Sequence, residues 1–154
     1  MASLRTVLLA TLCLVALYAN AAADQWDDVA RKFVDQEQAH LIRRTTEASG
    51  VVIELKHPLI TKGVVLVVTD GRPGISFEFK SAALPSDPAF ALMSRGGSLV
   101  TGKEATAILK ALRESYQAAL KDKNGMSIVS SDGISVSCII IPGDGELSFL
   151  LATN

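Results

Sequence analysis

Residues 64–80 read VVLVVTDGRPGISFEFK, and this stretch decides the class of fold. Residues 64–69 are apolar or β-branched at every step, which is typical of a strand covered on both faces. Residues 75–79 alternate between apolar and polar side chains, as in a strand with one buried face. The link between them, residues 70–74, is rich in turn formers and short enough to join antiparallel strands. The stretch therefore predicts an antiparallel meander.

Four more strands are predicted, one before this hairpin and three after it. Residues 51–56 alternate before it, and residues 126–130, 134–141 and 146–152 follow later in the chain. The last three are separated by SDG and PGDG, which are sequences typical of hairpin turns. The sequence therefore predicts two groups of three antiparallel strands.

Two long helices are predicted, one before each group of strands. Residues 25–48 contain no Gly or Pro and repeat apolar side chains at helical spacing, and Gly50 is expected to end that helix. Residues 102–123 show the same spacing more clearly, and T-x-x-E at Thr101–Glu104 is expected to cap them. The predicted fold is an α+β domain in the order α-βββ-α-βββ, with both helices packed on the sheet.

The two halves also share a local similarity. Residues 75–79 read ISFEF and residues 147–151 read LSFLL, and each follows an apolar strand and a glycine-rich turn. This similarity favours an αβββ unit used twice about a pseudo-twofold axis. Chance resemblance between alternating strands is the alternative.

The N-terminal segment predicts export. Arg5 precedes the uncharged residues 6–18, and small residues follow before Asp24, which is the pattern of a cleaved signal peptide over residues 1–23. The mature protein, residues 24–154, is then one secreted or extracellular domain, or a periplasmic one in a bacterium, with no membrane anchor. Only Cys138 remains after cleavage, so no internal disulfide is expected, and its apolar neighbours favour burial.

Composition and motifs argue against a nucleotide or nucleic-acid partner. The 15 basic and 16 acidic residues nearly balance, so no electrostatic attraction to nucleic acid is expected. Residues 97–104, GSLVTGKE, fit part of the phosphate-loop pattern, but Glu104 stands where that loop needs a hydroxyl for magnesium. The segment is therefore read as the start of a helix.

Few residues are candidates for catalysis or metal binding. His40 and His57 are far apart in sequence, and with Cys138 they do not form a recognisable zinc pattern. Cys138 shares strand parity with core residues, whereas a reactive thiolate needs partial exposure and a positive neighbour. No catalytic residue, metal or cofactor is predicted, and the chain is interpreted as more consistent with a binding protein than with an enzyme.

Two features are candidates for binding a partner. If the helices cover one face of the sheet, residues 64–69 and 138–141 place apolar side chains on the other face, Ile139 and Ile141 among them. The alternative is that the sheet folds over or that residues 81–100 cover this face. Residues 81–100 are the least regular stretch and are predicted as a long loop with a short helix ended by Gly96 and Gly97. The candidate contact residues in this segment are Phe90, Leu92, Met93 and Arg95.

The sequence favours a secreted, non-enzymatic binding protein that acts through a sheet face or residues 81–100. Its partner is either another protein or a second copy of the chain. The alternative is a carrier of a small apolar ligand held between helices and sheet, since ligand sites are mostly apolar pockets. That cavity would be lined by Phe33, Phe77, Phe79, Leu112 and Phe149. A third hypothesis is a hydrolase with Cys138 or a histidine in a cleft.

Overall fold

The described residues form an α+β sandwich of two layers, with one antiparallel sheet and three helices. The computed structural model describes residues 26–47, 50–69, 72–141 and 145–154. The predicted signal peptide, residues 1–23, lies outside the described residues. The elements are α1 (residues 26–37), β1 (His40–Glu47), β2 (Gly50–His57), β3 (Ile60–Thr69), β4 (Arg72–Phe79), α2 (Asp87–Thr101), α3 (Ala105–Lys121), β5 (Met126–Ser131), β6 (Ile134–Ile141) and β7 (Glu146–Thr153).

The seven strands lie in the order β1-β2-β3-β4-β7-β6-β5, and all neighbours are antiparallel. Two meanders, β1 to β4 and β5 to β7, therefore meet at the centre of the sheet. There Phe77 of β4 lies opposite Phe149 of β7. The prediction of antiparallel strands joined by short turns is confirmed, and β3 pairs with β4 as the opening stretch of sequence indicated.

One face of the sheet, here called the inner face, is covered by the helices. α2 packs on β4 and β7, and α3 packs on β5 and β6. α1 brings the Phe33 ring to within 6.4 Å of the Phe77 ring, measured between centroids. The inner side chains of the central strands are fully buried, with Phe77, Val136, Phe149 and Leu151 all at 0% exposure. This layer supplies the hydrophobic core.

The predicted helix over residues 25–48 is wrong in its second half. Helix α1 ends at residue 37, Gln38 has a left-handed φ of 55°, and the chain then forms strand β1. Within β1, Arg43 lies opposite Glu54 of β2 and donates a hydrogen bond from Nε to its carboxylate over 3.2 Å. Thr45 and Thr46 are β-branched and suit a strand. Pairing with β2 therefore overrides the helical spacing of this segment.

The predicted loop over residues 81–100 is also wrong, because most of the segment is helix α2. Ser86 caps it by accepting a hydrogen bond from the Ala89 amide. The helix then runs through Gly96 and Gly97, which were expected to end it. A Cβ on Gly96 would lie 2.7 Å from the Phe33 ring and 2.9 Å from the Phe77 ring. The glycines therefore allow close packing of the helix on the core.

The predicted capping box at the start of α3 is not formed. Thr101 is the last residue of α2, and its hydroxyl donates to the Gly97 carbonyl over 2.8 Å. Gly102 ends α2 in a left-handed conformation, and the Glu104 side chain makes no capping hydrogen bond to α3. The sequence GSLVTGKE is thus a helix end followed by a tight link. It does not form a phosphate loop, because Gly97 lies inside a helix.

The order of elements is α-ββββ-αα-βββ and differs from the predicted α-βββ-α-βββ. The two similar sequences, residues 75–79 and 147–151, pair with each other at the centre of the sheet. The duplication itself stays a prediction, because the two halves differ in their number of strands and helices. Among the described residues, no helix combines the length and apolar character needed to span a membrane.

Candidate functional site

The second face of the sheet, here called the outer face, carries none of the described helices. Its side chains alternate with those of the inner face along every strand. Val65 and Val67 of β3 point outward and are partly exposed, while Val64, Leu66 and Val68 are buried on the inner face. The prediction that β3 is covered on both faces is therefore wrong. Most of residues 81–100, the segment offered as an alternative cover for this face, form α2 and pack on the inner face instead.

Apolar side chains are concentrated on the outer face of the last three strands. The members of this outer patch are Met126, Ile128, Ile139, Ile141 and Leu150. Ile128 is 72% exposed, Met126 53%, Leu150 43% and Ile141 40%. The register places Met126 opposite Ile139, and Ser137 lies between Ile128 and Leu150 across the strands. The outer patch is therefore continuous across three strands.

A shallow depression of about 600 Å³ lies beside the outer patch, at the Arg72 end of the central strands β3, β4 and β7. It follows from a row of small side chains, since Val67, Gly74, Ala152 and Ser135 lie opposite one another on successive strands. Leu150 and Arg72 also line it. The outer face thus combines exposed aliphatic side chains with a hollow that a complementary surface can enter.

Several charged side chains at the margins of this face pair with one another, and the exposed Arg72 lines the depression. Arg43 binds Glu54 at the β1–β2 margin. At one end of the central strands, Lys62 Nζ lies 2.8 Å from the Glu146 carboxylate and 3.6 Å from that of Glu78. The hydrogen bond to Glu146 is the main cause of the raised Lys62 pKa. The outer patch itself contains no charged residue.

The structure separates the six residues predicted to contact a partner. Ile139 and Ile141 belong to the outer patch, as the strand parity predicted. Phe90, Leu92 and Met93 are buried in the core at 0–1% exposure, so they present no contact surface. Arg95 is half-exposed on α2, and its guanidinium donates two hydrogen bonds of 2.7 and 2.6 Å to the Glu37 carboxylate of α1. This ion pair joins the first two helices and raises the Arg95 pKa.

The five residues expected to line an internal cavity belong to the buried hydrophobic core. The Phe149 ring lies 6.4 Å from the Phe79 ring and 6.0 Å from the Phe90 ring, both edge-on. Phe33, Phe77, Phe79, Leu112 and Phe149 are at most 6% exposed. A second small depression of about 200 Å³ lies outside the core between α2 and α3, beside Leu84 and Arg113. The packing of the aromatic rings favours a filled core.

Cys138 lies fully buried on the inner face of β6, which confirms the expectation from its apolar neighbours. Burial raises the pKa of its thiol to about 11, and an interaction with the Ser115 side chain opposes this rise. The Ser115 hydroxyl is buried and finds no nitrogen or oxygen partner among the described residues. A neutral, inaccessible thiol is a poor nucleophile at neutral pH.

The two histidines lie apart from this thiol. His40 begins β1 with an exposed side chain, in a strand and not on the predicted helix. His57 ends β2, and its Nδ1 accepts a hydrogen bond from the Leu59 amide over 3.1 Å in the turn to β3. Within the described part of the chain, no group of three or more His, Cys, Asp and Glu side chains is arranged to hold a metal ion.

Comparisons of the chain with protein-family models, with curated proteins and with solved structures find no match in any of the three.

Sequence reasoning missed three members of the outer patch, namely Met126, Ile128 and Leu150. The signal for the first two is present in MSIVSS, where Met126 and Ile128 are separated by one residue and therefore point to the same face of a strand. Assigning them to the outer face requires the register with β6, in which Met126 lies opposite Ile139. In the similar sequence ISFEF, the position that corresponds to Leu150 is occupied by the charged Glu78.

Proposed function

We propose that the protein is an exported, non-enzymatic binding protein whose outer face contacts a protein partner. The observation that carries the proposal is the outer patch, five aliphatic or thioether side chains on three adjacent strands. Contiguous apolar surface of this kind on a folded protein marks interaction sites. Export rests on the predicted signal peptide over residues 1–23.

The size of the outer face suits a protein partner. Seven strands about 4.8 Å apart and about eight residues long at 3.3 Å each present a surface of roughly 750 Å². A standard protein–protein interface buries about 800 Å² on each side. One face of this sheet is thus large enough for a stable complex without further elements.

The chemistry of the face indicates the chemistry of the partner. Lys62 and Glu146 at one margin neutralise one another, and the outer patch is aliphatic apart from serine hydroxyls and the Met126 thioether. A charged partner surface would lose its hydration here without gaining an opposite charge. We therefore expect an uncharged, aliphatic surface on the partner protein.

The carrier of a small apolar ligand receives less support from the geometry. Small-molecule sites bury about 70–90% of their ligand. The depression at Gly74 is open, and the aromatic rings expected to line an internal site pack against one another. The buried Cys138 likewise gives no support to a hydrolase. A flat, open apolar face is better suited to a protein surface.

The proposal is tested by photo-crosslinking in the fluid from which the protein is isolated. The photoreactive amino acid benzoylphenylalanine is placed at Leu150 in the outer patch and, as a matched control, at the exposed Ala118 of α3 on the other side of the molecule. We expect one defined heterologous product from position 150, at least tenfold more abundant than any product from position 118. Excess wild-type protein should suppress it, and excess Leu150→Lys protein should not.

Three results would overturn this proposal. Equal labelling from both positions would mean that the outer face has no preference for a partner. Equal suppression of the product by the wild type and by Leu150→Lys would mean that the crosslinked partner does not bind through the outer patch. A product with the mass of two identical chains would identify the occupant of this face as a second copy and not a different protein.

A further inference from the structure

We propose that two copies of this chain pair edge to edge along β5, joining two seven-stranded sheets into one continuous antiparallel sheet. The contact uses the hydrogen-bonding edge of β5, covers Ile128 at the border of the outer patch, and leaves Leu150 and the rest of the outer face free. It is therefore independent of the proposed function, and either can fail without the other.

β5 is an edge strand without the usual protection against pairing. It ends the sheet order, and β6 is its only partner among the described strands. Its sequence, MSIVSS, contains no charge and no proline, and its register with β6 runs from Met126 to Ser131 without a shift. Natural proteins interrupt exposed edges with charges, prolines or bulges, because a regular edge is a template for another strand.

The opposite edge, β1, has this protection. Its pairing with β2 shifts register between Leu41 and Arg43, which marks a bulge or irregularity. Arg43 and Arg44 place two guanidinium groups in the middle of the strand, and His40 begins it. The contrast between the two edges indicates that β5, and not β1, receives another strand.

The hairpin between β5 and β6 determines which backbone groups of β5 face outward. Its two turn residues, Asp132 and Gly133, both have positive φ, 51° and 79°, as in a two-residue turn of type I′. In such a hairpin Ser131 and Ile134 form a hydrogen-bonded pair, and so does every second pair after it. Val129 and Ser127 therefore direct their amide and carbonyl groups toward β6. The outward groups belong to Met126, Ile128 and Ser130.

These outward groups are complementary to those of a second β5. Antiparallel pairing about a twofold axis at Ile128 places Ile128 opposite Ile128 of the second copy and Met126 opposite Ser130 of the second copy. If the pairing register of the two strands shifted by one residue, side chains of the outer face would lie opposite side chains of the inner face. If the twofold axis instead passed through the residue before or after Ile128, fewer of the outward backbone groups of Met126, Ile128 and Ser130 would find a partner. The Met126 amide also contacts the Asp122 carboxylate at 3.3 Å, and this contact would yield to the new pair.

Twofold pairing would also limit the assembly to two copies. The contact is isologous, so it uses the β5 edge of both copies at once. The two remaining edges are both β1, which is protected. Because the axis is perpendicular to the sheet, both outer faces lie on the same side, and the two outer patches become neighbours. Ile128, the most exposed of the exposed large apolar side chains in the described residues, is covered at the axis.

The dimer is tested by native mass spectrometry and sedimentation velocity on the purified protein. We expect the wild type to be a dimer and Ile128→Lys to be a monomer, because two lysines would meet at the axis. Leu150→Lys, which adds the same charge to the outer patch away from the edge, should remain a dimer. Circular dichroism and thermal unfolding establish that both variants are folded. A monomeric wild type, or a dimeric Ile128→Lys protein, would overturn the inference.

A cysteine scan tests the register, since the only cysteine in the described residues, Cys138, is buried. In the Ile128→Cys variant the two thiols lie on opposite members of a hydrogen-bonded pair, with Cα atoms about 5.5 Å apart, within the range for a disulfide. In the Ser130→Cys variant the equivalent positions are four residues apart along the strands, roughly 13 Å. With copper phenanthroline as oxidant, we expect at least tenfold more covalent dimer from position 128. Equal yields would contradict the register.

Discussion

The inner and outer faces of the sheet are built from the same strands, yet they have different roles. On β7, Phe149 and Leu151 are fully buried beneath the helices, while Leu150 between them is 43% exposed. All three side chains are large and apolar, so side-chain type alone does not distinguish the faces. What distinguishes them is the helical layer, which covers one face only. The apolar side chains of a strand therefore indicate which residues are buried only when the position of the helical layer is known.

The largest expected effect compares two leucines that are neighbours in sequence. Leu151→Ala creates a cavity in the core and should lower the free energy of unfolding by about 2–5 kcal/mol. Leu150→Ala removes the same atoms from the outer face and should cost less than about 1 kcal/mol. Urea unfolding followed by circular dichroism measures both. Similar losses in the two variants would mean that the outer face is covered as well.

The second comparison uses two thiols on neighbouring residues of β6. Cys138 faces inward, and Ser137→Cys adds a thiol on the partly exposed outer face. In native Ser137→Cys protein, the thiol reagent DTNB should modify one thiol within minutes. In the wild type it should modify none until denaturant is added. Rapid modification of the wild type would contradict the burial of Cys138.

The buried thiol also predicts an alkaline loss of stability. Burial raises the Cys138 pKa to about 11 from 9.0, so the folded state holds the proton more tightly than the unfolded state does. This contribution is full below about pH 9 and is lost as pH rises through 11, by up to about 3 kcal/mol. Between pH 8 and pH 10.5, the free energy of unfolding should therefore decrease more for the wild type than for Cys138→Ala. Parallel pH slopes would show that the thiol does not contribute.

The smallest expected effect compares two glycines. Gly96→Ala places a methyl group 2.7 Å from the Phe33 ring, and the strain should exceed the gain of about 1 kcal/mol in helix propensity. We expect a net loss of about 1 kcal/mol. Gly74→Ala meets its nearest outer-face neighbours at ordinary distances of 3.4 and 3.5 Å and should be neutral or slightly stabilising. Thermal unfolding separates them, and a stabilised Gly96→Ala protein would contradict close packing of α2 on the core.

Several local features of the fold are readable from the sequence. Six of the seven described strands follow from alternating or continuous apolar side chains between turn-forming residues, and helix α3 follows from its regular apolar spacing. The burial of Cys138 follows from strand parity. These predictions succeed because the turns and the side-chain periods of two and 3.6 residues are local properties of the chain.

Other features depend on contacts between distant residues. The segment 40–47 has apolar and charged residues at positions that fit a helix as well as a strand, and pairing of Arg43 with Glu54 decides for the strand. Gly96 and Gly97 look like a helix end in sequence, but the neighbouring Phe33 and Leu151 side chains leave room only for glycine. Local propensities are small compared with the free energy of such packing, so the sequence alone predicted these segments wrongly.

By itself the sequence determined an antiparallel α+β protein with a buried thiol and apolar side chains left over on its strands. Only the tertiary structure decided where those side chains lie, because strand order and register set which residues meet across the sheet. The same register placed Ile128 at an edge and Ile139 beside Met126. The helices decided the rest, since all three described helices pack on the inner face and none of them covers the outer face.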